Sequence, residues 1–168
     1  MEIFEPPCIL TARIDDKSKV FFDEMRSRYF PPERNLLSAH LTLFHKLPDT
    51  KQTLQIVEDV AQQPFECWVT ALKSIGNGVA YFIESNELSQ LHRNLGNQFH
   101  PHLSAQDRQT IRPHITIQNK VKPEVAKELL QLLQPNFEPF KITVHGLDLW
   151  HYLNGPWKHY RYFNFEAL

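Results

Sequence analysis

Residues 39–46 read A-H-L-T-L-F-H-K, and residues 113–119 read P-H-I-T-I-Q-N. Both stretches alternate between apolar and polar residues, as a β-strand with one face in a core does. Side chains two apart on a strand point the same way, so His40 shares a face with Thr42, and His114 with Thr116. Leu41, Leu43, Ile115 and Ile117 take the opposite, core-facing side. A single H-x-T strand is commonplace. Two copies, 74 residues apart, raise the question of whether the chain repeats itself.

The same spacing takes Phe21 to Leu95, Met25 to Phe99 and Lys46 to Lys120, and Pro64-Phe65 recurs 75 residues on as Pro139-Phe140. Each half reads helix, H-x-T strand, helix, hairpin. In the first half, 15–85, Phe21, Phe22, Met25 and Tyr29 fall on one face of a helix that Pro31-Pro32 ends. Pro48-Asp49-Thr50 turns into a shorter helix bearing Leu54, Val57 and Val60. Strands over 65–74 and 79–85 flank Gly76-Asn77-Gly78, a strong hairpin signal. In the second half, 86–168, Asn86 is positioned to cap a helix with Leu88, Leu91, Leu95 and Phe99 on one face. Pro123 opens another helix with Val125, Leu129, Leu132 and Leu133. Strands over 141–150 and 157–165 turn through Asn154-Gly155-Pro156, and a buried strand over 8–14 precedes the repeat. The pattern predicts one α+β domain over residues 1–168, bilobal about a pseudo-two-fold axis. Two antiparallel sheets should face each other across a central cleft, with helices on their outer sides.

Composition narrows the partners. The net charge is −1, so no basic surface grips duplex DNA. A small nucleotide or an RNA end suits this balance better. No apolar run approaches the ~20 residues a membrane helix needs. The opening M-E-I-F-E-P-P lacks the basic and apolar regions of a secretion signal. The two cysteines, Cys8 and Cys67, sit in apolar segments and read as reduced core thiols. A cytoplasmic monomer is expected.

If the lobes face each other, two imidazoles and two hydroxyls meet across the cleft. Cleaving a phosphodiester needs a base for the attacking oxygen and an acid for the leaving one, on opposite sides of phosphorus. Histidine serves either role near neutral pH. Threonine hydroxyls can donate to the non-bridging oxygens, where charge accumulates. No metal or cofactor is needed. His100-Pro101-His102 has no cysteine or acidic partners at ligand spacing, so it does not read as a metal site.

The paired motifs His40-Leu41-Thr42-Leu43 and His114-Ile115-Thr116-Ile117 resemble those of the two-histidine phosphoesterase superfamily. The longer stretches F-P-P-E-R-N-L-L-S-A-H-L-T-L-F-H-K-L-P and R-P-H-I-T-I-Q-N-K-V are similar to bacterial members of its 2′-5′ RNA ligase branch. The likeness in layout spans residues 7–165. It implies a bilobal fold and hydrolysis of 2′,3′-cyclic phosphates on RNA or nucleotides, commonly to a 2′-phosphate. Cleavage or formation of 2′-5′ linkages is implied as well. His40 and His114 would be the acid–base pair, with His40 as acid and His114 as base, while Thr42 and Thr116 hold the phosphate. Several relatives carry an arginine soon after the second motif, where this chain has Gln118-Asn119-Lys120. Two rival readings stay open: a hydrolase of 2′-5′-linked or cyclic oligonucleotides, and a non-catalytic module binding RNA ends or nucleotides.

Three further residues are candidate substrate contacts. Phe44 shares the face of His40 and Thr42 under regular alternation and would floor a base pocket, or else pack in the core. Arg112, two before His114, would reach the cleft or form a surface ion pair. Gln118 continues the face of His114 and Thr116. Lys46 and Lys120 would charge the cleft rim or simply end strands. His45 is expected to be structural, and the aromatic C-terminal residues Trp150, Trp157, Tyr160 and Tyr162 mostly core, with base stacking as the alternative.

Overall fold

The computed structural model describes residues 5–166. The first four residues of the opening expected not to be a secretion signal lie outside the described residues. The elements run β1 (Cys8–Ile14), α1 (Asp16–Tyr29), β2 (Leu41–Leu47), α2 (Lys51–Glu58), β3 (Phe65–Ser74), β4 (Val79–Glu84), α3 (Asn86–Phe99), β5 (His114–Gln118), α4 (Pro123–Leu133), β6 (Phe140–Tyr152) and β7 (Trp157–Asn164).

All strand pairs are antiparallel. Their order is β2-β1-β6-β3-β4-β5, with β7 also on β6. The architecture is α+β, and the two expected sheets are halves of one continuous sheet. The 13-residue β6 joins them. Val144, part-way along it, pairs with Ile14 of β1 on one edge and Phe65 of β3 on the other. β2 and β5 end the strand order yet touch each other, so the sheet curls and its two H-x-T strands meet.

Helices cover the face away from the histidines. Tyr81 pairs with Ile115, and its ring packs against Phe22 of α1 at 5.4 Å. On the other half, Phe99 of α3 packs against Phe44 at 5.3 Å. Leu88, Leu91, Leu95 and Phe99 are all buried, as their spacing predicts. Ser85, rather than Asn86, caps α3 by accepting from Leu88 N. On α4 the buried stripe is rotated: Ala126 and Leu129 are buried while Val125 and Leu132 are exposed. Asp15 caps α1 and also accepts from Thr143 N at 2.9 Å, which ties the helix to β6.

Two adjacent irregularities in β2 correct the sequence reading. Leu10 pairs with Phe44 but Thr11 pairs with Thr42, so Leu43 is an extra residue and β2 bulges there. This bulge leaves Leu43 and Phe44 both buried. A second shift follows at once, since Cys8 pairs with Leu47, and it leaves His45 and Lys46 both exposed. The second shift is pinned by the buried carboxylate of Asp107, which accepts from His45 N, Lys46 N and His45 Nδ1 at 2.9–3.0 Å. These bonds hold the Asp107 carboxyl below its ordinary value against the opposing effect of burial, the largest single influence on it. A depressed folded-state value means this contribution is present above the unfolded carboxyl's titration and is lost as pH falls through the folded one. Asp107→Ala is expected to lower stability by about 2–4 kcal/mol at pH 7, because two backbone donors lose their acceptor. The gap to wild type should shrink below pH 4. Urea unfolding at both pH values checks this, and equal midpoints at pH 7 would count against the pinned bulge.

Candidate active site

The two motif histidines are held in the same way. His40 precedes β2 directly, and its Nδ1 lies 2.8 Å from Ser38 O. His114 opens β5, and its Nδ1 lies 2.8 Å from Arg112 O. A carbonyl only accepts, so each Nδ1 carries the proton and donates to the backbone two residues earlier. That fixes the tautomer and leaves both Nε2 atoms without a hydrogen-bond partner among the described residues. Aromatic neighbours orient the rings. Trp157 of β7 packs on His40 with centroids 4.5 Å apart, and Phe82 stacks on His114 at 5.3 Å. Thr42 and Thr116 are half-buried on the same strands.

Arg26 of α1 braces both motifs. Its Nε bonds Asn35 Oδ1 and Leu37 O, ahead of His40, at 3.1 and 3.2 Å, and its Nη1 bonds Thr116 O at 3.0 Å. β5 ends the sheet, so that carbonyl has no further strand to pair with. Asp23, one turn earlier, accepts from Ala39 N at 2.7 Å and pairs with Lys19 at 2.7 Å. The backbone entering His40 is thus anchored to α1 at two points. Removal from water pushes the His40 ring down to about 4. Its bond to Ser38 opposes this, while the charges of Arg26, Lys19 and His114 add to it. The two imidazoles are close enough for one to feel the charge of the other.

A polar network spreads from His40 over the first half of the sheet. Arg13 donates twice to the buried Asp148, at 2.9 and 2.7 Å, and His159 Nε2 reaches the same carboxylate at 2.7 Å. The Arg13 guanidinium lies 3.6 Å from the centroid of Tyr162. Trp150 donates from Nε1 to Thr11 Oγ1 at 2.9 Å, and Thr11 pairs with Thr42. Sequence reasoning missed Arg13, Lys19, Arg26 and Asp148, and it left His159 without a role. The sequence signal available for Arg13 was strand alternation with Thr11. Nothing local marked the rest.

The remaining candidates divide. Arg112 is exposed, and its guanidinium lies 5.7 Å from the centroid of Phe82, the ring that stacks on His114, so it stays beside the site. Phe44 does not reach the cleft. The bulge turns it inward, where it is 0% exposed and stacks on His92 at 4.5 Å. Gln118 is likewise withdrawn as a substrate contact: Val79 pairs with Gln118 but Ala80 with Thr116, so Ile117 is an extra residue, β5 bulges there, and Gln118 turns inward at 4% exposure. Lys46 and Lys120 are exposed, and Lys120 lines a cavity that also includes His40 and Thr116. Donor atoms of Cys8, Asp49 and His151 lie within 4.8 Å of one another. Asp49 accepts from His151 Nε2 at 3.1 Å, with the Cys8 thiol close by. That thiol is pushed up to about 12, chiefly by burial.

Solved structures share the architecture. A crystal structure described as a phosphoesterase superposes with a TM-score of 0.67 at 16% identity, covering 97% of this chain and all of that one. E. coli LigT in complex with 3′-AMP gives 0.65 at 14% identity, covering 96% of this chain and 99% of that one. A Thermus thermophilus protein gives 0.65 at 14% identity, covering 94% of this chain and 97% of that one. At such identities the likeness establishes the fold alone. No curated protein matches the sequence. The sequence profile of the 2′-5′ RNA ligase superfamily matches residues 14–156, a span that contains both H-x-T strands, and by that match the chain belongs to this superfamily.

Proposed function

We propose that the protein is a metal-independent phosphodiesterase that opens 2′,3′-cyclic phosphates on RNA ends or nucleotides, with His40 and His114 as its acid–base pair. The observation that carries this reading is the matched tethering of the two rings. Each Nδ1 is committed to a backbone carbonyl, and each Nε2 is left to exchange a proton. Binding alone does not call for both an acid and a base, so this arrangement favours turnover over a passive nucleotide site. E. coli LigT has been solved with 3′-AMP, ATP and NADP+, which supports a nucleotide or RNA end as the ligand here. The buried thiols of Cys8 and Cys67 suit a reducing compartment such as the cytoplasm.

The proposed step moves two protons. Nε2 of neutral His40 takes a proton from water as the water oxygen attacks phosphorus. The bond from phosphorus to the 3′ oxygen breaks, and protonated His114 gives its proton to that oxygen, leaving a 2′-phosphate. Hydroxyls of Thr42 and Thr116 donate to the non-bridging oxygens. This order exchanges the roles expected from sequence. With its pKa held at about 4, His40 is unprotonated at neutral pH, which suits a base and not an acid.

The sign of the pH dependence follows. A base works only when unprotonated, so activity should fall on the acid side as His40 takes up a proton, near pH 4. Turnover per catalytic site should therefore not fall between pH 7 and pH 5.5, where an ordinary histidine base of pKa ~6.5 would lose about ten-fold. A fall centred on pH 6.5 would rule out His40 as the base. The first test of the function is hydrolysis of a 2′,3′-cyclic nucleotide, and of a short RNA with that end, in EDTA. Release of a 2′-phosphate supports the reading, and failure to turn over either substrate sinks it.

A further inference from the structure

Beside His40 and Thr116 lies a cavity of about 300 Å³ lined by Arg26, Arg34, Asn119 and Lys120, with Phe30, Leu36 and Leu37 on its apolar side and Gly155 at its edge. Three of its lining residues are cationic and none is acidic. Arg26 is 4% exposed. Every acceptor it bonds is neutral: Asn35 Oδ1, Leu37 O and Thr116 O. It has no ion-pair partner among the described residues. The nearest carboxylate on its own helix, Asp23, is committed to Lys19 and to Ala39 N. Beyond these dipoles its guanidinium faces only the Phe30 ring, 4.2 Å from its centroid, and no carboxylate among the described residues bonds it, so an anion in the adjoining cavity is the natural compensation. Lys120 adds a second observation. It adopts a left-handed backbone (φ 64°), which costs free energy for a side chain of this kind. The turn is held by Asn119 Oδ1, which accepts from Lys120 N at 2.9 Å, and by Val121 N on Asn77 O at 3.1 Å. The hairpin between β3 and β4 thus supports a strained turn that presents an ammonium to this cavity.

One scissile phosphate, already served by two imidazoles and two hydroxyls, does not account for three further cations. We propose that this cavity is a second-phosphate subsite. It would select substrates in which another phosphate flanks the reacting one, as in a nucleotide chain, over a lone nucleoside cyclic phosphate. This inference rests on the phosphodiesterase reading for its first phosphate, and it names the substrate class of the same cleft.

The test is binding, which separates it from turnover. Titration calorimetry would compare 3′-AMP, which has one phosphate, with adenosine 3′,5′-bisphosphate and with the dinucleotide ApAp, which carries its second phosphate within the chain. Wild type should bind at least one two-phosphate probe about ten-fold more tightly than 3′-AMP, the scale of one or two charge-assisted hydrogen bonds. In Arg34→Gln and in Lys120→Gln that ratio should collapse toward one. Arg26 is left intact because it braces both motifs. Tighter ApAp alone assigns the phosphate to a chain, and tighter bisphosphate as well admits a terminal one. Equal binding of all three probes, or a ratio unaffected by both variants, overturns the subsite. A preference for two phosphates without hydrolysis of any cyclic phosphate would retain the subsite and sink the enzymatic reading, and hydrolysis without the preference would do the reverse.

Discussion

His114→Ala is expected to cut turnover of a 2′,3′-cyclic nucleotide by about 10²–10⁴-fold, and His40→Ala by a similar factor. Each change removes one of the two proton transfers while leaving the strands intact, since both rings are half-buried at strand starts and outside the main core. The double variant should be hardly worse than the poorer single one, because an acid and a base that act in one step fail as a unit. Thr42→Ala and Thr116→Ala should cost less, each removing one donor to the phosphate. Steady-state kinetics with circular dichroism and 3′-AMP affinity would separate lost chemistry from lost folding. Full activity in both histidine variants would refute the mechanism.

How much of this was legible beforehand depended on the range of the interaction. Period-two alternation put His40 with Thr42 and His114 with Thr116, and the spacing of Leu88, Leu91, Leu95 and Phe99 marked the buried face of α3, because these are properties of neighbours in the chain. Alternation failed at Phe44 for a physical reason. The extra residue at Leu43 shifts the strand by one, and the carboxylate that holds the neighbouring shift at His45-Lys46, Asp107, is more than sixty residues away. Arg26 bonds a carbonyl 90 residues on, and Arg13 meets Asp148 at a separation of 135. Both pairings exist only once the sheet has curled β2 against β5 and paired β1 with β6. The continuous sheet was hidden for the same reason: β6 reads as an ordinary strand, and only its two edges, shared among β1, β3 and β7, reveal that it joins the halves.

That dependence on long-range register predicts a severe effect from a single methyl group. A Cβ at Gly78, in the β3–β4 hairpin, would overlap the carbonyl of Gln118 and lie 2.7 Å from Asn119 Cα. Both obstacles are backbone, and neither can yield locally. Gln118 is paired with Val79, and Val121 N is bonded to Asn77 O. Gly78→Ala must therefore push the end of β5 away, moving Thr116 and the turn that carries Lys120. The expected cost is about 3 kcal/mol or more, with a large loss of turnover in whatever protein remains folded. Gly76, two residues earlier, provides the contrast. A Cβ there meets nothing within 4 Å, but the backbone is left-handed at φ +95°. Gly76→Ala should cost only the conformational strain, about 1–2 kcal/mol, and leave turnover per folded molecule as it was. Urea unfolding midpoints and turnover for the two variants decide the matter. If Gly78→Ala proved as mild as Gly76→Ala, the hairpin would not be the support on which the second motif rests. A loss of activity in Gly78→Ala alone, at a temperature where both remain folded, would show that the hairpin sets the position of Thr116 as well as holding the sheet together.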